Sequence, residues 1–171
     1  MSEDREETQK ERAELKKGYL LLLLRLALIA LIALLIFTKV FLITRVTGNE
    51  MFPALKDGDL LLAFRPQRSY GKNDVVIYTR DGERAIGRIA AVEGDVVMSD
   101  ESGTLLVNGT EQSGERVYPG DALTYPYRVP QGSVFLLADR ESTAHDSREI
   151  GAIGVEKIEG RVITLLRRRG L

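Results

Sequence analysis

His145, Asp146 and Ser147 stand side by side, and together they are the base, orienting acid and nucleophile of a nucleophilic hydrolase. Consecutive side chains point in different directions, so these three cannot converge with the base between its partners. Glu50 is the other reactive type in a suggestive setting: "TGNEMFPALKDGD" combines a glycine, a Met-x-Pro turn and a charged hairpin. A carboxylate with an ordinary pKa of about 4.3 is a weak base toward hydroxyls and a poor attacker of amides. An acid pair activating water needs a second carboxylate to share a proton, for which Asp139 and Asp146 are the candidates. Arg148, two residues beyond Asp146, is placed to neutralise it. The acid loops "EGDVV" and "DGDLL" lack the ligand density of a calcium site. Asn108 in "NGT" is formally a glycosylation acceptor and reads better as a hairpin turn. The Arg167–Arg169 run is either a solvated terminus or a contact for anionic lipid or phosphate.

Composition removes whole classes of chemistry. The 171 residues contain no Cys and one His, which rules out disulfides and thiolate sites and argues against a histidine-rich metal centre. No cofactor is expected. The formal net charge is −1, with acids and bases interleaved after residue 45, so no basic stripe points to nucleic acid.

These residues must be positioned by two unlike elements. "GYLLLLLRLALIALIALLIFTKVFLIT", residues 18–44, is long enough as a helix to cross a bilayer core, which takes about 20 apolar residues. Arg25 and Lys39 lie near enough to its ends to snorkel outward. A cleaved leader would have a much shorter apolar region and a small-x-small site, which "FLITRVTGNE" does not offer. Residues 18–44 are therefore expected to be a retained anchor, with its helix over Tyr19–Ile43. Lys10, Arg12, Lys16 and Lys17 precede the span, which predicts that the charged tail, residues 1–17, is cytoplasmic and the rest extracytoplasmic in the cell membrane. Glu6 with Lys10 and Glu14 with Lys17 support a solvated helix running into the span.

After Arg45 no segment sustains helical periodicity. Short apolar runs ("LLLAFR", "DVVIYTR", "AIGRIAAV", "DVVM", "TLLVNG", "SVFLLA", "RVITLLR") alternate with turn chemistry ("DGD", "GKND", "RDGE", "EGD", "NGT", "PQGS"). This pattern predicts a mostly β body, a barrel or sandwich over residues 45–171. A more polar, Gly-rich stretch at about 98–130 is expected to form a smaller lobe, and "STAHDSREIG" a loop.

An N-terminal anchor followed by "EMFPALKDGDLLLAFR", "YGKNDVVIY", "GRIAAVEGDVV" and "ADRESTAHDSREIG" resembles the bacterial type I signal peptidases (S26), motif by motif and in the same order. That family uses a Ser nucleophile and a Lys base whose pKa is lowered in a dry pocket. Met51 and Pro53 fall on the family's Met and Pro, which places the nucleophile position at Glu50. Arg88 falls on the Arg after the catalytic Lys, which places the Lys position at Gly87; the small hydroxyl that orients the Lys corresponds to Ala144. No catalytic residue is then expected. The structural motif residues stay: Asp146 and Arg148 match an acid–base pair, Gly94 and Asp95 a tight turn, and Asp139, Ser147 and Gly151 fall within the last box.

The resemblance thus implies a noncatalytic relative that binds extended polypeptide along a groove at Gly48, Met51, Phe52 and Pro53. The apolar residues of that loop would form a lip at the membrane face, beside Gly87 and Ala144. Relatives with the dyad replaced are associated with sortase-assembled pili in Gram-positive bacteria, so the implied partners are a pilin precursor, a class C sortase and membrane lipid. An active signal peptidase and a purely structural membrane component are the alternatives.

Overall fold

The computed structural model describes residues 3–67, 69–100, 104–111, 123–140 and 145–167. The chain divides into two units, Met1–Lys39 and Val40–Leu171. In the first, helix α1 runs unbroken over Glu3–Val40. Its stretch Glu14–Val40, 27 residues with a mean hydropathy of 3.1 and nothing buried, is long and apolar enough to cross a membrane. Leucines and isoleucines face outward all round it, the pattern of a helix solvated by lipid. Lys17 reaches Glu14 at 3.1 Å one turn below.

The helix stops earlier than the hydropathy of residues 18–44 predicts. Phe41–Arg45 form strand β1, and Leu42, Ile43 and Thr44 pair with Ala63, Leu62 and Leu61. Apolarity alone cannot separate the end of a span from a buried strand; the β-branched Ile43–Thr44 pair and an available partner strand decide it.

The second unit is built from two antiparallel sheets. The seven-stranded sheet takes the order β1-β2-β11-β3-β4-β9-β10. Its members after β1 are β2 Leu60–Phe64, β3 Val75–Arg80, β4 Glu83–Val92, β9 Ser133–Leu137, β10 Ile153–Gly154 and β11 Ile158–Leu166. A four-stranded sheet takes the order β7-β6-β5-β8, with β5 Val96–Ser99, β6 Leu105–Val107, β7 Thr110–Glu111 and β8 Tyr127–Arg128. It occupies the polar stretch expected to form the smaller lobe, of which residues 101–103 and 112–122 lie outside the described residues. The body is mostly β, as the alternation of apolar runs and turn residues predicts.

Two tight turns fix the registers. Asp81 (φ 50°) and Gly82 (φ 85°) close β3 onto β4, and Asn108 (φ 53°) and Gly109 (φ 78°) close β6 onto β7. Both are left-handed pairs of the kind two-residue hairpins require. Asn108 also accepts from the Val96 N–H at 2.9 Å and donates to Asp95 at 2.6 Å, so its side chain is committed to the fold.

β4 serves two cores because of one bulge. Its pairing with β9 shifts register between Ile89 and Ala91. Ala85 and Ile89 therefore pack with Val76, Tyr78 and Leu136, while Ala90 and Ala91 pack with Val97, Val107 and Phe135. Each fully buried large side chain here contributes about 1.5–3 kcal/mol relative to exposure.

Candidate functional site

The loop between β1 and β2 is held shut at its base. The Val46 N–H donates to Asp59 O at 2.8 Å and the Gly58 N–H returns to Val46 O at 2.9 Å. Inside it, the Leu55 N–H donates to Met51 O at 2.7 Å, and buried Asp59 accepts from the Lys56 N–H at 3.0 Å. Met51 is 2% exposed and packs with Val46, Leu55 and Leu61, so its thioether anchors the loop from below. This corrects the expectation of a three-residue lip: a side chain spent on the core cannot project from the surface. Phe52, at 43% exposure, and Pro53 are the outward members. Gly48 does adopt a positive φ of 82°, but its N–H is already given to Asp57 at 3.0 Å.

Met51 leaves one edge on a cleft of about 180 Å³ that also contains Glu50. One wall is Val46, Thr47, Glu50 and Met51, and the other is Glu83–Ile86 at the start of β4, with Arg80 at the end of β3. Glu50 is held there through its main chain, since the Arg140 N–H donates to its carbonyl at 2.8 Å. No side-chain hydrogen bond or ion pair holds its carboxylate among the described residues. Opposite it, Arg84 is committed to Glu159 at 3.0–3.1 Å, while Arg80 donates to the His145 carbonyl.

Strand pairing leaves the β4 wall half open. Glu83–Arg88 pair with Arg80–Val75 of β3, but β9 joins β4 only from Arg88 onward. Among the described residues, the segment 83–87 therefore has a strand neighbour on one side only, and its residues 83–86 line the cleft.

Gly87 sits in this segment, one residue past the cleft wall. A Cβ there would lie 3.3 Å from Leu136 Cβ and 3.4 Å from Tyr78 Cε1. The Tyr78 ring, 2% exposed, thus packs against the glycine, because diagonal neighbours on one sheet face share their space. Burial pushes the Tyr78 phenol above its usual range; the Arg80 guanidinium opposes this, and the Asp146 and Glu50 carboxylates reinforce it. The phenol is a neutral group and no base at neutral pH.

The last box is a closed structural unit. Arg148 Nε and Nη2 grip Asp146 at 2.7 and 2.6 Å, and the Arg148 N–H adds a third bond at 3.0 Å. Asp146 Oδ2 also accepts from the Ala138 N–H at 2.9 Å, and Ser147 Oγ from the Leu136 N–H at 2.9 Å. All three side chains are buried. Asp146 thereby caps the N-terminus of a one-turn helix, α2 (Ser147–Ile150), where the sequence predicts only loop. His145 points elsewhere, toward Glu149. Ser147, Asp146 and His145 are thus each engaged separately and form no triad.

Arg88 closes a second pair, gripping Asp139 at 2.8 and 2.7 Å; hydrogen bonding to that carboxylate raises the guanidinium's pKa despite burial. Neither Asp139 nor Asp146 is free to share a proton with Glu50. Gly94, at φ 83°, makes the turn into β5, beside Asp95. Burial pushes the Asp95 carboxyl up, but hydrogen bonds from the Val92 N–H, Asn108 and Lys72 outweigh it and hold the carboxyl below its usual range. Gly151 follows α2 at φ 79°, facing the Tyr127 hydroxyl. Ala144 lies outside the described residues. Among the described residues no group of three or more His, Cys, Asp or Glu could hold a metal.

Arg80, Glu83 and Arg84 are cleft residues that sequence reasoning missed. The available signal was the Asp81–Gly82 turn: it folds β3 onto β4 and so brings residues on both sides of the hairpin to one end of the sheet.

Comparison with known proteins follows this architecture. The family model described as signal peptidase, peptidase S26, matches residues 19–166. A signal peptidase I of Bacillus licheniformis is 30% identical over 168 residues, covering 88% of this chain and 90% of that protein. Signal peptidase IB of Staphylococcus aureus is 28% identical over 147 residues, covering 71% and 76%. A probable thylakoidal processing peptidase of Arabidopsis thaliana is 32% identical over 132 residues, covering 69% of this chain and 36% of that longer protein. Among solved structures, a signal peptidase I from Enterococcus faecalis aligns with a TM-score of 0.44 at 24% identity, covering 57% of this chain and 98% of that one. With the family match running from the apolar helix to the last strand, the chain belongs to the S26 signal peptidase family.

Proposed function

We propose that this chain is a membrane-anchored, noncatalytic member of its family that holds extended polypeptide in the Glu50 cleft. The observation that carries the reading is the β4 strand, half open among the described residues, facing a cleft whose described lining holds no hydroxyl–amine dyad. The motif resemblance assigns the two reactive positions to Glu50 and Gly87, and no lysine lines the cleft among the described residues. A free strand edge recognises a peptide through main-chain hydrogen bonds, a mode that needs no nucleophile. The bidentate pairs Asp146–Arg148 and Arg88–Asp139 would keep the scaffold in shape while the cleft only binds.

The client that fits this reading is a pilin precursor awaiting a class C sortase. The support is the likeness to family members whose dyad is replaced. The charge pattern around α1 supports a cytoplasmic N-terminus and an extracytoplasmic body in the cell membrane. The named peptidases among the relatives favour the competing reading of an active signal peptidase.

The test measures binding of an unstructured peptide to the full-length chain in detergent micelles, beside the same peptide with alternate backbone amides N-methylated. Strand addition predicts retention of the first and loss of the second. Equal binding of both would reject it. Complementation of pilus polymerisation in a strain lacking the chain tests the client: restored polymers are expected from wild type and from Glu50→Ala alike.

A further inference from the structure

A second cleft, of about 370 Å³, opens where the ends of three strands meet on the outer face of the large sheet. Arg45 of β1 pairs with Leu60 of β2, and Leu60 with Leu166 of β11, so the three side chains lie in one row across adjacent strands. Arg167 follows at the end of the row and lines the same cleft. Leu60 and Leu166 are 42% and 62% exposed, a large apolar area beside two guanidinium groups.

The arginines are placed by the fold. A Cβ at Gly58 would lie 3.1 Å from Arg45 Nη2, and the backbone there has φ 87°, so a glycine turn leaves room for the guanidinium to lie against it. Arg45 has no acid partner among the described residues. Arg167 donates to the Ala54 carbonyl at 3.1 Å and lies 3.9 Å from Asp59, whose buried carboxylate offsets only part of the local charge. The cleft is therefore net cationic and half apolar.

We propose that this cleft binds the phosphate headgroup of an anionic phospholipid. Guanidinium groups match phosphate oxygens with paired N–H donors, and two of them converge here. The two leucines suit the glycerol and upper acyl carbons, which a free phosphate lacks. Sequence distance supports the source: Arg45 is five residues beyond Val40, the last residue of the apolar helix. In an anchored chain, five residues extend at most about 18 Å, which keeps Arg45 near the headgroup layer. This inference is independent of what the Glu50 cleft binds.

The experiment uses the full-length chain in dodecyl maltoside micelles. Dihexanoyl phosphatidylglycerol, dihexanoyl phosphatidylcholine and inorganic phosphate are titrated in separate arms, with binding read by native mass spectrometry and thermal shift. The phosphatidylglycerol should bind tightest, and Arg45→Gln should weaken it about fivefold, with partial recovery in Arg45→Lys. Lys157→Gln, the same charge change outside the cleft, should leave binding unchanged. Arg167→Gln is the second test, because Arg45 also covers the Gly58 turn; whichever variant melts cooperatively must show the loss. Equal binding of the two lipids, inorganic phosphate binding as tightly as phosphatidylglycerol, or folded variants with undiminished lipid affinity would each overturn the proposal.

Discussion

The Asp146 corner and the Glu50 cleft belong to one unit and treat charge in opposite ways. Asp146 is 3% exposed and accepts four hydrogen bonds, from Ala138, from the Arg148 backbone and from the Arg148 guanidinium twice. Among the described residues Glu50 is held by its main chain alone, and it lines the cleft. A buried, hydrogen-bonded ion pair fixes geometry, whereas a carboxylate with no side-chain partner among the described residues places no such constraint on the loop that carries it. The difference separates a corner built to keep its shape from a loop that the proposed function assigns to binding.

Breaking the closed side should have the largest effect. Arg148→Ala leaves Asp146 buried without its countercharge and is expected to cost about 3–5 kcal/mol, read as a lowered urea midpoint. Gly151→Ala comes next: φ 79° with ψ −172° is a region that only glycine occupies readily, so about 1–3 kcal/mol should be lost in the same measurement. A loss below about 0.5 kcal/mol in either would show that the corner is less rigid than its hydrogen bonds imply.

Acid should weaken the fold through the two carboxylates whose pKa values it lowers. Asp95 and Glu159 both have depressed pKa values in the fold; for Glu159 the hydrogen bond from Arg84 leads, against burial, with help from Thr79 and Arg65. A lowered folded pKa gives stability that is fully present above the unfolded carboxylate value of about 4 and is lost as pH falls through the folded values. Thermal melts should therefore hold steady at neutral pH and drop below about pH 4, less steeply in Lys72→Ala and Arg84→Ala. The smallest effect belongs to the cleft: Glu50→Ala should change stability by no more than about 0.5 kcal/mol, since among the described residues no side-chain bond is lost.

Much of this arrangement was legible in the sequence because it is local. Turn residues such as Asp81–Gly82 and Asn108–Gly109 delimit the strands, and Asp146 with Arg148 two residues later announces a pair. What was not legible depends on partners distant in sequence. β1 is a strand because Leu60–Phe64 pairs with it, Met51 is core because Leu61 lies beneath it, and Arg80 faces Glu50 only once the sheet has assembled. The one-turn helix at Ser147 escaped for a related reason: its cap, Asp146, is oriented by Ala138 on the preceding segment.

The central claim is that the cleft binds without cutting, and a preprotein-processing time course with the full-length chain in micelles tests it most directly. Intact preprotein is the predicted product throughout, for wild type, Glu50→Ala and Glu50→Ser alike, because Gly87 supplies no base. Glu50→Ser with Gly87→Lys would also crowd the core, since a Cβ at Gly87 lies 3.3 Å from Leu136 Cβ and 3.4 Å from Tyr78 Cε1. Cleavage by the wild type that Glu50→Ala abolishes would contradict the account and make Glu50 a catalytic carboxylate.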